Sequence, residues 1–222
     1  MNTVIHSESL ASIDRGLESR SDARHRLLEA AMESFREEGY RVSIDRIATR
    51  AHVARQTVYN HFGSKDELFA EVIRQASQSV LVTLQSEGEL RGVLCAFGRA
   101  YRERLLGPDG IAIFRTLTAE APHFPHLARQ FFEVGPAATR ARLAGVLSVA
   151  MDRGELRRDH PHFAAEMLTA MLVDFDRLKA LLTLEVVPVD PRKTQEIVDC
   201  FLRAFAPMDA AHGVDPHPPN HH

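Results

Sequence analysis

The chain is poor in the features that announce most chemistries. It has two cysteines in 222 residues, Cys95 and Cys200, too far apart in sequence to suggest a disulfide framework or a zinc site, and such sparse usage fits a reducing cytoplasm. Cys95 is then either a redox sensor or, as the better expectation, a buried structural thiol. No apolar run approaches the length that crosses a bilayer, and the N-terminus offers no apolar stretch of the secretion-signal kind, so no membrane partner is expected. GxGxxG, phosphate-loop, HExxH, CxxC and GxSxG patterns are all missing, so no motif supports a catalytic site, a cofactor or a metal. Alternating apolar and polar runs are missing as well. The apolar positions recur at helical spacing along the chain, which predicts an all-α fold.

What is present is concentrated between residues 43 and 65, SIDRIATRAHVARQTVYNHFGSK. Ser43 is placed to cap a short helix whose Ile44, Ile47, Ala48 and Ala51 form one apolar stripe. His52 falls where a tight turn needs positive φ, a conformation that histidine tolerates better than most side chains. Val53 plugs the inside of the corner. Ala54 stands where a hydroxyl cap is expected, a lack that costs on the order of 1 kcal/mol of helix stability. In the second helix Val58 and Phe62 face inward, which turns Arg55, Gln56, Thr57, Tyr59, Asn60 and His61 outward. These side chains suit a DNA groove: Arg55, Gln56 and Asn60 have the geometry to read base edges, and Thr57, Tyr59, His61 and Lys65 to hold phosphates. Ser64 and Glu67 form a capping box for the next helix, and Lys65 sits at its positive end. From 41 to 65, Arg41, Arg46, Arg50, Arg55 and Lys65 face Asp45 alone, whereas the whole chain has a net charge of −3. Such a local basic patch is the electrostatic footprint of a nucleic-acid surface.

The run from Leu28 to Leu68 resembles the N-terminal domain of the TetR family of transcriptional regulators. The matching pieces are Ala30-Ala31, Phe35, Glu38-Gly39, Ser43-Ile44, Ile47-Ala48, Thr57-Val58-Tyr59, His61-Phe62 and Ser64-Lys65. His52, Ala54 and Gln56 depart from the family pattern, at the entrance to the second helix. The resemblance implies a three-helix helix-turn-helix DNA-binding domain, followed by a larger helical domain for effector binding and dimerisation.

The chain divides accordingly. Residues 1–20 are polar and are expected to form a mobile arm, either a plain disordered terminus or one whose Arg15 and Arg20, with Arg24 and Arg26, reach DNA. The head spans 21–81, its first helix starting near Ser21 or Asp22 and closing at Gly39. The body spans 82–206, and 207–222 is a Pro- and His-rich tail that will not pack. In the body, helices are expected at about 93–106 and 110–119, with Gly107-Pro108-Asp109-Gly110 as a turn between them. Further helices are expected after Pro125, at 136–152, from Phe163 to Leu184, and at about 192–206.

Two half-sites require a two-fold dimer. The resemblance assigns that interface to the last two helices, with Phe163, Met167, Phe175, Phe201 and Phe205 as candidates. It also implies a cavity between body helices for a small-molecule effector, with Phe97, Tyr101, Leu105, Phe114, Leu117, Phe131, Phe132, Met167 and Met171 as candidate lining; Arg115, Glu120, His123 and His126 are polar candidates near it, with surface positions as the better expectation. Aromatic and methionine positions at helical spacing are equally the mark of plain core. The expected protein is a ligand-responsive DNA-binding regulator, most simply a homodimeric repressor of an inverted-repeat operator. A regulator controlled by a protein partner and an all-helical enzyme with a DNA-binding head are the alternatives.

Overall fold

The computed structural model describes the backbone of residues 4–183 and 188–207, and side chains from Ser21 onward. The proposed tail beyond Pro207, residue 184 at the end of the expected ninth helix, and the side chains of the proposed arm lie outside the described residues. Among those described, helices account for all regular structure: α1 Val4–Glu38, α2 Ile44–Arg50, α3 Arg55–Phe62, α4 Lys65–Leu81, α5 Leu90–Leu106, α6 Pro108–Glu120, α7 Pro125–Phe132, α8 Ala138–Asp152, α9 Pro161–Thr183 and α10 Pro191–Ala204. No helix is long and apolar enough to cross a membrane.

Two apolar clusters organise the helices. One gathers Leu27, Phe35, Ile47, Val58, Phe62 and Phe69 of α1 to α4, and it also takes in Ile113 and Leu117 of α6 and Leu127 of α7. The other gathers Leu94 and Phe97 of α5, Leu143 and Leu147 of α8, Leu168 and Leu172 of α9, and Val198 and Phe201 of α10. Helix α4 runs from one to the other, contributing Leu68 to Ile73 to the first and Val80 to the second. Helix α5 lies close against α9 and α10 at Gly98, where a Cβ would stand 2.9 Å from Thr194 of α10 and 3.1 Å from Leu172 of α9.

A charged group is enclosed in that second cluster. Arg102 of α5 is 1% exposed and donates from Nη2 to Asp176 of α9 at 2.8 Å and from Nη1 to the carbonyl of Leu172. Lys193 of α10 donates to the same carboxylate at 2.7 Å. Burial pushes the Asp176 carboxyl upward, but the bonds and charges of Lys193 and Arg102 outweigh it and hold the group below its ordinary range. Three helices are thus pinned through one carboxylate.

Several boundaries differ from expectation for identifiable reasons. The backbone of α1 is helical from Val4, well before Ser21; the segment contains no proline to stop it. Pro108 does not make a free turn but opens α6 directly after Gly107, because its fixed φ and missing N–H suit the first helical position. Likewise the helix expected from 136 is joined to α7 through a π turn, Glu133–Ala137, where Pro136 cannot donate to the regular ladder. The capping box is half made: Ser64 accepts from the Glu67 amide at 3.1 Å, but the Ser64 amide donates to the Phe62 carbonyl at 2.8 Å. Cys95 is half-buried and burial pushes its thiol up, which favours a structural thiol over a redox sensor.

Candidate nucleic-acid interface and effector cavity

The corner between α2 and α3 forms as its residues dictate. Ser43 accepts from the Arg46 amide at 3.2 Å. His52 takes φ 54°, the one non-glycine positive φ among the described residues, and its amide donates to the Thr49 carbonyl at 3.1 Å. Val53 is half-buried against the head core and donates to the Ala48 carbonyl at 3.0 Å, which closes the corner. Ala54 has the backbone of a helix cap but no side-chain bond. Helix α3 anchors through buried Val58 and Phe62, leaving Arg55, Gln56 and Asn60 exposed, with Thr57, Tyr59 and His61 half-buried beside them.

The side chains proposed to read bases are pre-oriented by one another. The Arg55 guanidinium donates to Asp45 of α2 at 3.0 Å, reaches the Tyr59 hydroxyl at 3.4 Å and lies 5.6 Å from the centre of its ring. Gln56 donates to Asn60 at 3.1 Å. Lys65 is placed differently: its ammonium stands 4.3 Å over the Tyr40 ring, and burial lowers its pKa. The Tyr40 hydroxyl in turn donates to Asp66, and Phe35, Phe69 and Phe124 pack around the Tyr40 ring. Burial, and then the Asp66 bond, raise the Tyr40 pKa.

The basic patch is less naked than the sequence count implies. Arg46 pairs with Glu38 at 2.7 Å, Arg50 with Glu37, Arg41 with Glu120 of α6 at 2.9 Å, and Arg55 with Asp45. Counting charges only between 41 and 65 misses three of these carboxylates, which reach in from α1 and α6. Lys65 is the cation of the group with no carboxylate at salt-bridge distance among the described residues. The other four sit in exposed or half-exposed pairs, of the kind that contributes little to stability.

The body encloses a cavity of about 290 Å³ between α4, α5, α6, α8 and α9. Tyr101, Leu105, Phe114 and Phe131 line it as expected. The other candidates fall elsewhere. Phe97 is fully buried in the second cluster, behind Tyr101 and stacked on it at 5.3 Å. Leu117 belongs to the head core. Met167 packs on the second cluster and Met171 is exposed, because the inward face of α9 is set by Ala165, Leu168 and Leu172, and the methionines lie off it. Phe132 is exposed, with Arg140 over its ring. Of the polar candidates, Glu120 pairs with Arg41 and His126 with Asp66 at 3.3 Å, and neither Arg115 nor His123 reaches the wall. The wall's other polar residues, among them Arg104, Thr139, Arg140, Glu166, Asp174 and Arg177, carry no local motif that marks them in the sequence. His160 and His162 stack near each other, 5.9 Å between ring centres, and no group of residues able to hold a metal occurs among those described.

The dimer candidates also separate. Phe163 (54% exposed) and Phe175 (78%) stand on the surface of α9 in line with Met171, Leu178 and Leu182. Phe201 and Phe205 of the last helical segment are 0% and 1% exposed and pack on each other at 4.7 Å. They complete the protomer's own core, since the apolar stripe of α10 points at α5 and α9, and so cannot contribute an outer surface.

Comparison with known proteins agrees with this geometry. Residues 27–72 match the model described as bacterial regulatory proteins, tetR family, and residues 92–207 match the model of the C-terminal domain of AefR-like transcriptional repressors. The HTH-type transcriptional regulator YezE of Bacillus subtilis (strain 168) is 26% identical over 184 residues, 79% of this chain and 92% of that protein. The crystal structure of a TetR-family transcriptional regulator from Mesorhizobium loti MAFF303099 superposes with a TM-score of 0.67 at 28% identity, covering 84% of this chain and 96% of that one. The flavonoid-responsive regulator FrrA superposes with a TM-score of 0.64 at 30% identity, covering 83% and 97%. The second family match alone spans more than half of the chain, and the family is one of regulators and not of enzymes, which sets the helical-enzyme alternative aside. The chain belongs to the TetR family of transcriptional regulators, and the α1–α3 head is its DNA-binding domain.

Proposed function

We propose that the protein is a homodimeric repressor that releases an inverted-repeat operator when a small molecule enters the body cavity. The observation that carries this reading is a shared wall. Ile73 of α4 and Ile113 of α6 belong to the head core and also line the cavity. Helix α6 is further tied to the head by Arg36 to Asp109 at 3.1 Å and by Arg41 to Glu120. A ligand that moves α4 or α6 therefore moves the platform on which α3 stands. Differential affinity of the ligand for the two head positions supplies the coupling, and a few kcal/mol suffices to shift the population. The relative named as flavonoid-responsive supports a small organic effector.

Dimerisation is supported by the stripe of Phe163, Met171, Phe175, Leu178 and Leu182 on α9, an apolar surface too continuous to be left to solvent. A second copy of the same stripe covers it in an isologous pairing. Each α3 then enters the major groove of one half-site, with Arg55, Gln56 and Asn60 toward base edges and Ser43, Thr57, Tyr59, His61 and Lys65 toward phosphates.

DNase footprinting on the DNA flanking the protein's own gene tests the reading. An inverted repeat is expected to be protected by the wild type, and Phe175→Glu is expected to sediment as a monomer and to lose that footprint at the same concentration. A wild-type monomer that protects a single unrepeated site overturns the dimer. Release of DNA only by another protein, with no saturable small-molecule effect, replaces the effector with a protein partner.

A further inference from the structure

We propose that the cavity takes a small organic monoanion, a carboxylic acid or comparably acidic compound with an apolar or aromatic body, and that Arg104 is the anchor of its charged group. This rests on the body cavity being the effector site, and specifies which effectors it accepts.

Arg104 is the unbalanced charge of the cavity wall. Three arginines and two carboxylates line it. Arg177 pairs with Asp174 at 3.0 Å and Arg140 with Glu166 at 3.7 Å. Both carboxylates stand on exposed positions of α9, so these pairs form the rim. Arg104 of α5 is half-buried, and among the described residues it has no hydrogen bond and no carboxylate at salt-bridge distance. The nearest acidic influence on it is Asp109, which is already bonded to Arg36. Burial lowers the Arg104 pKa, the direction expected of a guanidinium taken from water without a partner. A protein pays for such a group unless something anionic joins it. A planar guanidinium accepts a carboxylate in a two-point contact that no neutral ligand reproduces.

The remaining wall fits the rest of such a molecule. Phe131, Val80 and Val173 supply apolar surface, and Phe114 is capped from outside by the Arg177 guanidinium at 4.6 Å. The hydroxyls of half-buried Tyr101 and Ser77 and of buried Thr139 line the cavity with no hydrogen-bond partner among the described residues. Burial pushes the Tyr101 phenol up to about 12, so it is a neutral donor and adds no second charge. One unpaired cation with three neutral hydroxyls specifies a monoanion bearing a further polar group. Arg104 also borders the cleft on the other side, beside Glu29, Met32 and Glu33 of α1, so drawing its guanidinium toward a ligand alters the surface that faces the head.

The test uses matched pairs of acids and amides of nearly equal shape: benzoate and benzamide, 4-hydroxybenzoate and its amide, 2-naphthoate and 2-naphthamide, octanoate and octanamide. Binding to the full-length dimer is followed by thermal shift and calorimetry, and release from operator DNA is followed separately by fluorescence anisotropy. At least one acid is expected to bind about tenfold or more tightly than its amide, as the loss of a charge-assisted contact implies. Arg104→Gln is expected to erase that preference and Arg104→Lys to retain part of it, each compared with wild type at equal helicity and with its ligand-free operator affinity measured alongside. Amides that bind as well as their acids overturn the proposal, as does an acid preference that survives Arg104→Gln in a variant with wild-type helicity. Failure of every acid to bind overturns it too. An acid that binds through Arg104 without releasing DNA upholds the ligand class and breaks the repressor reading; release by the amides alone does the reverse.

Discussion

The head and the body are built from the same material, amphipathic helices around an apolar cluster, but they differ in what they leave without a partner. In the head, charged and polar groups find one another: Arg55 with Asp45 and Tyr59, Gln56 with Asn60, Arg50 with Glu37. In the body, Arg102 and Asp176 are paired inside the core, with the Arg102 Nε left unbonded, while Arg104, Tyr101 and Thr139 line the cavity and a row of apolar side chains on α9 faces outward. Under the proposed function, the contrast reflects what each would recognise. A DNA duplex has a fixed shape and a regular charge, so its reader can be held rigid by exposed pairs that are cheap to exchange. An effector is recognised by what the helices fail to fill.

The largest expected effect tests whether the enclosed polar cluster is what makes the body rigid. Asp176→Ala leaves the guanidinium of Arg102 buried without its counter-charge, and breaking such a pair costs about 3–5 kcal/mol. Urea denaturation followed by helicity should show the loss; a midpoint equal to wild type would falsify the structural role. The cluster has a pH signature as well. The folded carboxyl of Asp176 titrates below its unfolded value, so its contribution is complete above the ordinary carboxylate pKa of about 3.9 and is lost as the pH falls through the folded value. The acid-unfolding curve of Asp176→Asn should therefore be shallower below about pH 4 than that of the wild type.

The same contrast explains what could be read from the sequence. The corner from Ser43 to Lys65 is local: each cap, plug and turn is decided by residues within a few positions, and His52 at positive φ, uncapped Ala54 and capped Ser64 all appear as their chemistry requires. The cavity is not local. Arg104, Arg140 and Arg177 come from three helices, and only packing shows that two have a carboxylate at salt-bridge distance and one does not. Phe201 and Phe205 mislead for the same reason. A helical stripe reveals that one face is apolar, but it does not say whether the facing surface belongs to the same chain. Nor does an ordered chain division survive unchanged: Ile113, Leu117 and Leu127 lie in the second half of the sequence plan yet pack into the head core.

An intermediate effect separates reading from holding within the head. Arg55→Ala is expected to lower affinity for the operator by roughly tenfold to a hundredfold, with the loss confined to sequences carrying the contacted base pair. Asp45→Ala should act in the same direction but less, since it frees Arg55 from its orienting partner without removing the reader. Lys65→Ala should weaken specific and scrambled sites alike and reduce the salt slope by about one. Anisotropy titrations across several salt concentrations measure all three, and equal losses on both kinds of DNA for Arg55→Ala would sink its role as a reader.

The smallest effect asks why α3 has no side-chain cap when its neighbours have one. Ala54 holds φ −71° and ψ 148°, the same extended conformation as capped Ser43, and Ser64 caps α4 from the extended region too. Only the oxygen is missing. Ala54→Ser should therefore add up to about 1 kcal/mol to head stability, at the low end because the Thr57 amide already donates to the Ala54 carbonyl at 2.9 Å. The operator decides the meaning of that gain. First-turn amides free of a hydroxyl are available to a DNA phosphate at the positive end of the helix. If Ala54→Ser raises the melting temperature and weakens operator binding together, alanine keeps those amides for the backbone of the DNA. If stability rises and affinity is unchanged, the missing cap has no part in recognition, and the exposed pairs of Arg55 and Gln56 alone orient the reading face.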